Sequence, residues 1–371
     1  MKRILYITSN KIFGLGGGAI GQRKLYFSLK NLKEKHIIDF DVISLDSDLE
    51  ESVLDVKKNK LLDMFARLFF HSNYLFYYKK KILNIMKKNK YDFLILGNSR
   101  LGFLASKNNY YKIFTHFDNV EYDYCYSVFQ GAKGIKKILF QIEKISVMRD
   151  EKKALFNSEK ILCLSKRDED RLRALYHYNG LVSIFPVCIE GNKPLQESSE
   201  RKLIFVGSLN YTSNIEAVKN FIPVFLEQTA CRKFVVAGSN PSKEIEELIK
   251  KHKNIILKAN FKDYSEIANK GDILVSFIKI GSGMKVKVAE AMSMGLLVCG
   301  TDETFVGYEE ALSCESGLFI CNNGEQFIQT LNNIAQKSEK LILDLAERNI
   351  SLFKQYYSLT RSDEILFNLL N

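Results

Sequence analysis

Short apolar runs alternate with helical patterns along most of the sequence, and this alternation restricts the fold more than any other feature. In the second half the runs occupy residues 202–206, 234–237, 255–257, 273–277, 297–300 and 317–321. Runs that are apolar at nearly every position are typical of parallel strands covered by helices on both faces. The pattern therefore predicts an α/β fold built on parallel sheets.

The first half shows the same alternation, with strands expected at 3–8, 40–45, 91–96, 112–115, 160–164 and 183–185. A chain of 371 residues is long enough for two domains of this kind. Residues 191–201 contain a proline and two adjacent serines, which favours a linker. We expect a first domain over 1–190, a second over 191–350, and a C-terminal helix over 351–371.

The segment from Gly281 to Gly295 is the most informative for function. It follows a predicted buried strand, begins with a glycine-containing turn, and continues as a helix that carries Lys285, Lys287 and Glu290. The start of a helix presents free N–H groups and a positive dipole end, which favour a phosphate. The lysines add positive charge and the glutamate accepts from hydroxyls, so the pattern predicts a nucleotide-sugar site. The alternative is an ordinary packing helix with solvated lysines.

This segment resembles the Gly-Gly-Thr-Arg-Leu-Lys-x-x-Glu-Ala segment of the retaining glycosyltransferases of family 4 (group 1). The resemblance implies the GT-B architecture, in which two Rossmann-like, doubly wound domains face a cleft, and the last helix crosses back to the first domain. It implies that Glu290 contacts the donor ribose and that Lys285 and Lys287 hold the diphosphate. Ser282 stands where the first glutamate of the Glu-x7-Glu motif would be, so that contact to the donor sugar must come from backbone or be missing.

Other segments resemble donor-binding loops of the same family. In the loop after residue 206, many relatives have an Arg and a Lys for the diphosphate; here Ser208 replaces the first and Ser213 or Asn214 the second, which makes Lys285 the preferred phosphate ligand. After the first predicted strand, residues 10–21 read as a glycine-rich loop, and a helix pattern follows from about Gln22 to Lys33. The resemblance implies that this loop closes on the donor diphosphate and the acceptor, and that residues 238–239 and 260–263 frame the nucleotide base; the alternative for the glycine-rich loop is a flexible surface turn. The remaining candidate donor-binding residues are Gly17, Gly18, Gly207, Gly238, Phe261, Gly283 and Met284.

Polar residues 116–121 follow the predicted strand at 112–115, and ligands of open α/β sheets bind at such strand ends. The segment resembles the His-Asn-Val-Glu stretch of the family, which implies that His116 faces the donor sugar. Asp118 and Glu121 are candidates for positioning the acceptor. The alternative for His116 is a histidine satisfied by backbone at a strand end. The catalytic candidates are thus His116, Lys285 and Glu290.

The net charge of +11 is unevenly distributed. Residues 1–190 contain 33 Lys and Arg against 21 Asp and Glu, whereas residues 191–371 contain 21 against 22. The excess favours an anionic partner for the first half, such as a membrane surface, a lipid phosphate or a nucleic acid. Residues 49–90 read as a helical segment with apolar residues at helical spacing, namely Leu61, Phe65, Leu68, Phe69 and Phe76. Aromatic residues beside lysine clusters are typical of an interfacial helix, but for residues 61–78 a core-facing helix with a solvated basic face is preferred. Lysines 79–81 and 87–88 are the better membrane candidates. No nucleic-acid recognition motif is found, and no nucleic acid is expected.

Several classes of protein are disfavoured by the sequence. No apolar run approaches the roughly 18–20 residues that span a bilayer, and the N-terminal apolar run is too short for a signal peptide. The seven scattered cysteines and five dispersed histidines do not favour a metal site. We therefore expect a cytoplasmic protein, alternatively peripheral on the inner face of the cell membrane. We expect no metal and no cofactor, only a nucleotide-sugar substrate, with a UDP-sugar favoured.

Together these features predict a retaining glycosyltransferase of the hexosyltransferase type. It would move a sugar from a nucleotide-sugar donor to a glycan or lipid-linked acceptor in bacterial surface polysaccharide or glycoconjugate synthesis. Three alternatives remain open. Ser282 and the missing basic pair fit a non-catalytic GT-B partner subunit. A nucleotide-sugar epimerase shares the fold, and a nucleic-acid-binding protein is compatible with the basic half.

Overall fold

The computed structural model describes residues 1–14, 17–46, 48–106, 110–198, 200–279, 281 and 283–371. It forms two compact units. The first comprises Met1–Val187 together with Ser362–Asn371, and the second comprises Cys188–Arg361. Each unit contains a six-stranded sheet in which all paired strands are parallel.

The first unit places its strands in the order β2-β1-β3-β4-β5-β6. The strands are β1 (Lys2–Ile7), β2 (Ile38–Ile43), β3 (Phe93–Leu96), β4 (Lys112–Phe117), β5 (Lys160–Cys163) and β6 (Val182–Ile184). The helices are α1 (Gly17–Glu34), α2 (Lys60–Leu68), α3 (Lys79–Asn89), α4 (Glu121–Gly131), α5 (Gly134–Asn157) and α6 (Lys166–Tyr176).

The second unit has the order β12-β11-β10-β7-β8-β9. Its strands are β7 (Leu203–Val206), β8 (Phe234–Gly238), β9 (Ile255–Ala259), β10 (Ile273–Ser276), β11 (Leu297–Gly300) and β12 (Leu318–Ile320). Its helices are α7 (Thr212–Glu227), α8 (Lys243–Lys250), α9 (Val286–Met294), α10 (Glu309–Leu312), α11 (Gly324–Ala335) and α12 (Glu339–Tyr356). A last helix, α13 (Leu359–Leu370), leads from the second unit into the first.

Helices cover both faces of the first sheet because successive strand residues point to opposite faces. Ile4 and Tyr6 of β1 pack into a core with Leu29 of α1 and Leu366 of α13. Leu5 and Ile7 of the same strand belong to a second core on the other face, with Ile82 of α3. The α/β class expected from the apolar runs and the two Rossmann-like domains implied by the family resemblance are both confirmed.

Residues 49–90 were predicted to be one helical region, and the structure differs. Helix occupies only α2 and α3, with a 3₁₀ turn at Tyr74–Tyr78 between them. The prediction that residues 61–78 face the core is wrong for α2, where Leu61 is 62% exposed and Phe65 43% exposed. Over residues 61–68, where the structure describes the side chains of this helix, only Ala66 is buried. The helical spacing of apolar residues was read correctly, but spacing alone does not tell which surface an apolar face meets.

The glycine-rich segment after β1 was predicted to be a loop as far as Gly21, but the loop is shorter. Helix α1 already begins at Gly17, so Gly17, Gly18 and Gly21 lie in its first two turns. Arg23 of the same helix donates to the carbonyl oxygens of Ile12 and Gly14, which ties the preceding segment to α1. Glycines lowered the helical signal here although the backbone is helical.

Gly102 allows a 3₁₀ turn at Ser99–Leu104 to pack directly on α5. A Cβ atom at position 102 would lie 1.8 Å from the carbonyl oxygen of Asp150, which is backbone and cannot rotate away. We expect Gly102→Ala to destabilise the protein by about 1–3 kcal/mol, the usual effect of overpacking. Urea unfolding would measure this. Gly131→Ala is the control, because no atom lies within 4 Å of its added Cβ; equal stability of the two variants would contradict this account of the packing.

Candidate functional site

The second unit has its candidate site where the carboxyl ends of β7 and β10 lie side by side. The connections from these two strands lead in opposite directions across the sheet, since β8 follows on one side and β11 on the other. Open α/β sheets bind ligands in the crevice at such a point. The segment after β10 leads to Lys285, the residue directly before α9, and the segment after β7 contains Gly207 and Ser208.

The start of α9 is fixed by a buried tyrosine. The Tyr308 hydroxyl donates to the carbonyl oxygen of Lys285 at 2.9 Å and accepts from the Ala289 amide at 3.1 Å. Tyr308 is completely buried, and Met284 beside it is 7% exposed. The first turn of a helix has N–H groups without intrahelical partners, so this arrangement holds a positive dipole end at the crevice.

Lys285 forms an ion pair with Glu303, which lies in the segment after β11. The Lys285 Nζ atom is 2.9 Å from Glu303 Oε1 and 2.8 Å from the carbonyl oxygen of Gly283. Both charged side chains are largely buried, at 13% and 15% exposure. An ammonium held this way has a fixed position at the helix start. Glu303 was not identified from the sequence, because nothing in residues 301–308 marks it as a partner of Lys285.

Lys287 extends from the first turn of α9 toward the end of β7. Its Nζ lies 3.4 Å from the carbonyl oxygen of Val206 and 4.5 Å from the centre of the Phe205 ring. Burial, together with a smaller effect of the nearby Lys285, lowers the pKa of Lys287 to about 7. A lysine with a pKa near 7 lacks a compensating anion, which a bound phosphate would supply.

Glu290 lies one turn further along α9 and binds a tyrosine. The Tyr264 hydroxyl donates to Glu290 Oε2 at 2.8 Å, and burial raises the pKa of Glu290 above its usual value. Phe261 packs edge-on against Tyr264 with 5.3 Å between ring centres. The structure therefore brings Lys285, Lys287, Glu290 and Phe261 into one region of the second unit. Tyr264 was missed as an individual residue, although the neighbouring loop was expected near the nucleotide base.

Gly207 and Ser208 directly follow β7, and Gly238 ends the neighbouring strand β8. A Cβ atom on Gly238 would lie 1.7 Å from the carbonyl oxygen of Gly207, so the two strand ends approach closely. The Ser208 hydroxyl donates to Asn210, and Asn214 donates to the Ser208 carbonyl oxygen. Gly283 and Met284 lie in the turn before α9. Ser282 is outside the residues that the structure describes.

The first unit has a separate polar cluster at the ends of β1, β3 and β4. The Gln22 amide of α1 donates to the Gly97 carbonyl oxygen at 2.6 Å and to Asp118 Oδ2 at 2.9 Å, while Tyr6 donates to Gln22. His116 is completely buried on β4. Sequence reasoning missed Gln22 and Tyr6, although Gln22 directly follows the glycine-rich segment that was singled out.

His116 and Asp118 are close but incompletely satisfied. His116 Nδ1 is 2.8 Å from Asp118 Oδ1, which is a close electrostatic contact, whereas His116 Nε2 has no hydrogen-bond partner among the described residues. Burial lowers the pKa of His116 more than Asp118 raises it, so the imidazole is neutral at pH 7. Buried polar atoms without partners are costly and are found where a ligand completes them.

Three further residues of the first unit were predicted to bind donor or acceptor, namely Gly17, Gly18 and Glu121. Glu121 accepts from the Arg100 guanidinium at 2.7 Å, and both side chains are mostly buried, so Glu121 belongs to an internal ion pair. Gly17 and Gly18 are the first residues of α1, and the start of a helix favours an anion.

A cavity of about 1290 Å³ opens at the amino ends of the strands of the first sheet, beside Lys2 and Lys112. Open α/β sheets bind their substrates at the opposite, carboxyl edge.

Among the described residues, no group of three or more His, Cys, Asp or Glu side chains is arranged to hold a metal ion. Within the same residues, no helix is both long and apolar enough to cross a bilayer.

Comparison with known proteins identifies the class. Residues 200–337 match the family model described as Glycosyl transferases group 1. No curated protein matches the sequence. Sucrose-phosphate synthase from Thermosynechococcus elongatus superimposes with a TM-score of 0.70 at 11% identity, covering 100% of this chain and 98% of that one.

Two further solved structures are similar over their full lengths. WaaG, a glycosyltransferase involved in lipopolysaccharide biosynthesis, gives a TM-score of 0.65 at 15% identity, with 99% of each chain covered. Anabaena HepE in complex with UDP-glucose gives 0.61 at 12% identity, covering 100% of this chain and 99% of that one. The protein is thus a glycosyltransferase with GT-B architecture. Its residues 200–337 form a group 1 glycosyltransferase domain.

The lowered pKa of Lys287 predicts a stability effect. An unfolded lysine has a pKa of about 10.4, so between pH 7 and 10 the unfolded chain binds the proton more strongly and wild-type stability rises with pH. Lys287→Met removes the cost of burying the ammonium. We expect its ligand-free thermal midpoint to exceed that of the wild type by several degrees at pH 6.5, and by much less at pH 10.

Differential scanning fluorimetry at the two pH values measures this effect. Lys262→Met is the control, because it removes an exposed ammonium and the same unit of charge. A gain for Lys287→Met that is the same at both pH values would mean that Lys287 does not titrate near neutrality in the folded protein.

Proposed function

We propose that the protein transfers a sugar, with retention of anomeric configuration, from a nucleotide sugar to a glycan or lipid-linked acceptor. The observation that carries this proposal is the pair Lys285 and Lys287 at the start of α9, in the crevice between β7 and β10. A UDP-sugar is the favoured donor, since HepE, which has the same fold, is described in complex with UDP-glucose.

In this proposal the diphosphate lies over the start of α9. Negative charge develops on the departing nucleoside diphosphate in the transition state, and the helix dipole and the two ammonium groups stabilise it there. These groups supply the positive charge that the leaving group needs, so the proposal includes no metal or cofactor. When the diphosphate binds, the Lys285 ammonium leaves Glu303 for the phosphate oxygens or contacts both at once.

The remaining second-unit residues orient the nucleoside. The Glu290 carboxylate accepts from ribose hydroxyls while Tyr264 holds it in place. Phe261 and the backbone of Gly207 and Gly238 border the base and ribose. The Ser208 hydroxyl, which donates to Asn210 in the ligand-free protein, exchanges this partner for a phosphate oxygen when the donor binds.

The first unit is proposed to handle the sugar and the acceptor. His116 and Asp118 have buried polar atoms that sugar hydroxyls would satisfy, with His116 neutral and therefore able to donate or accept. The acceptor proton leaves to the departing phosphate oxygen, so no separate protein base is needed. Glu121 contributes through its ion pair with Arg100, which supports the start of α4.

The proposed setting is the synthesis of a bacterial surface polysaccharide or glycoconjugate at the inner face of the cell membrane. WaaG, which shares the fold, is described as involved in lipopolysaccharide biosynthesis. The excess positive charge of residues 1–190 suits an acceptor presented at an anionic surface.

The donor assignment is tested with a panel of UDP-, GDP-, CMP- and dTDP-sugars. We expect a UDP-sugar to raise the thermal midpoint and UDP to bind in isothermal titration, because ligands that bind only the folded state stabilise it. Incubation with donor alone should yield no epimer. Absence of binding by any nucleotide would favour a non-catalytic subunit, and epimer formation without acceptor would favour an epimerase.

Lys285 provides the sharpest single substitution. Lys285→Ala should lower kcat/KM for donor by roughly 10- to 1,000-fold, the range found when a charged contact to the transition state is lost. Lys219→Ala on α7 is the control; its ammonium pairs with Glu244 on the protein surface. Near-normal kinetics for Lys285→Ala would remove this lysine from the phosphate site.

A further inference from the structure

Helix α2 exposes an apolar face that no other element of the described structure covers. Leu61, Met64, Phe65 and Leu68 recur at helical spacing and are 40–62% exposed, and Phe69 follows at 65%. The opposite side of α2 holds Ala66, which is buried, and Arg67, which pairs with Glu143 of α5 at 3.0 Å. The helix is therefore anchored by one side and leaves its larger apolar side chains in water.

The surroundings of this face are basic. Lys57 and Lys58 precede α2 and are exposed; Lys57 lies 3.4 Å from the exposed Asp55, whereas Lys58 adds positive charge. The 3₁₀ turn Tyr74–Tyr78 packs against α2 and leads to Lys80 and Lys81, which are exposed as well. Asp63, the acidic residue of α2, pairs at 3.1 Å with Arg67, which it shares with Glu143.

A second exposed segment of the same unit has the same character. At the start of α5, Ile135 is 77% and Ile138 is 63% exposed, and Lys133, Lys136 and Lys137 are exposed around them. Helices α2 and α5 are in contact. Two neighbouring helices thus combine exposed large apolar side chains with lysines.

We propose that the apolar face of α2, continued by Phe69 and Phe70, docks on an anionic lipid bilayer. Large apolar side chains flanked by lysines fit the boundary between acyl chains and anionic headgroups. A second copy of this chain is a poorer occupant, because a self-association through this face would bring lysines against lysines. The proposal places the contact on α2, not on the lysine clusters 79–81 and 87–88 alone, and it does not depend on the donor assignment.

The chain contains no tryptophan, so a single introduced tryptophan reports on one position. We expect emission from Phe69→Trp to shift to the blue with vesicles of phosphatidylcholine containing phosphatidylglycerol, and to be quenched by brominated lipid. Leu226→Trp on α7, at a position with 57% exposure, is the control and should respond to neither. No nucleotide is present, so failure here would leave the transferase proposal untouched.

Co-sedimentation separates the apolar contribution from the charge. Wild-type binding should require phosphatidylglycerol and weaken as salt rises from about 0.05 M to 0.5 M. The combined substitution Leu61→Ser, Phe65→Ser and Phe69→Ser should weaken the partition coefficient at least about tenfold, with an unchanged thermal midpoint because all three side chains are exposed.

Binding of the triple variant equal to wild type would overturn the proposal, as would a tryptophan at position 69 that stays solvent-exposed on vesicles. A wild-type dimer that the triple variant dissociates, measured by light scattering without any vesicle binding, would show that a second copy covers this face instead.

Discussion

The candidate donor site depends on one constraint, the fixed position of the start of α9 at the crevice of the second sheet. Tyr308 bonds to both the Lys285 carbonyl oxygen and the Ala289 amide, so the first turn cannot unwind without breaking buried hydrogen bonds. The positions of both lysines are thereby fixed: Lys285 lies beside Glu303, and Lys287 lies beside the carbonyl oxygen of Val206 at the end of β7. A preformed positive site costs little to organise when an anion binds.

That site has a cost in the ligand-free protein. The Lys287 ammonium contacts the Phe205 ring and the carbonyl oxygen of Val206, and burial lowers its pKa to about 7. In the first unit, His116 Nε2 is buried without a hydrogen-bond partner in the described structure. Buried polar or charged groups without a partner in the protein are typical of functional sites, because the substrate supplies the missing partner.

Much of the fold could be predicted, because fully apolar strands separated by helices permit few arrangements. Lys285, Lys287 and Glu290 were found because they share one helix start after one strand. Glu303 and Tyr308 were not, since each meets α9 through tertiary packing that no sequence spacing records. The same limit applies to α2, whose apolar spacing was visible, whereas its exposure depends on what packs against it. Glu121 matched a family segment, but its pairing with Arg100 required the three-dimensional arrangement.

The central claim is that the start of α9 binds a diphosphate. A crystal structure of the protein with UDP tests it most directly. The account predicts phosphate oxygens within hydrogen-bond distance of Nζ of Lys285 or Lys287 and of the first amides of α9, with the ribose near Glu290. UDP bound elsewhere, with Lys285 still paired to Glu303 and Gly283 and no phosphate near it, would contradict it.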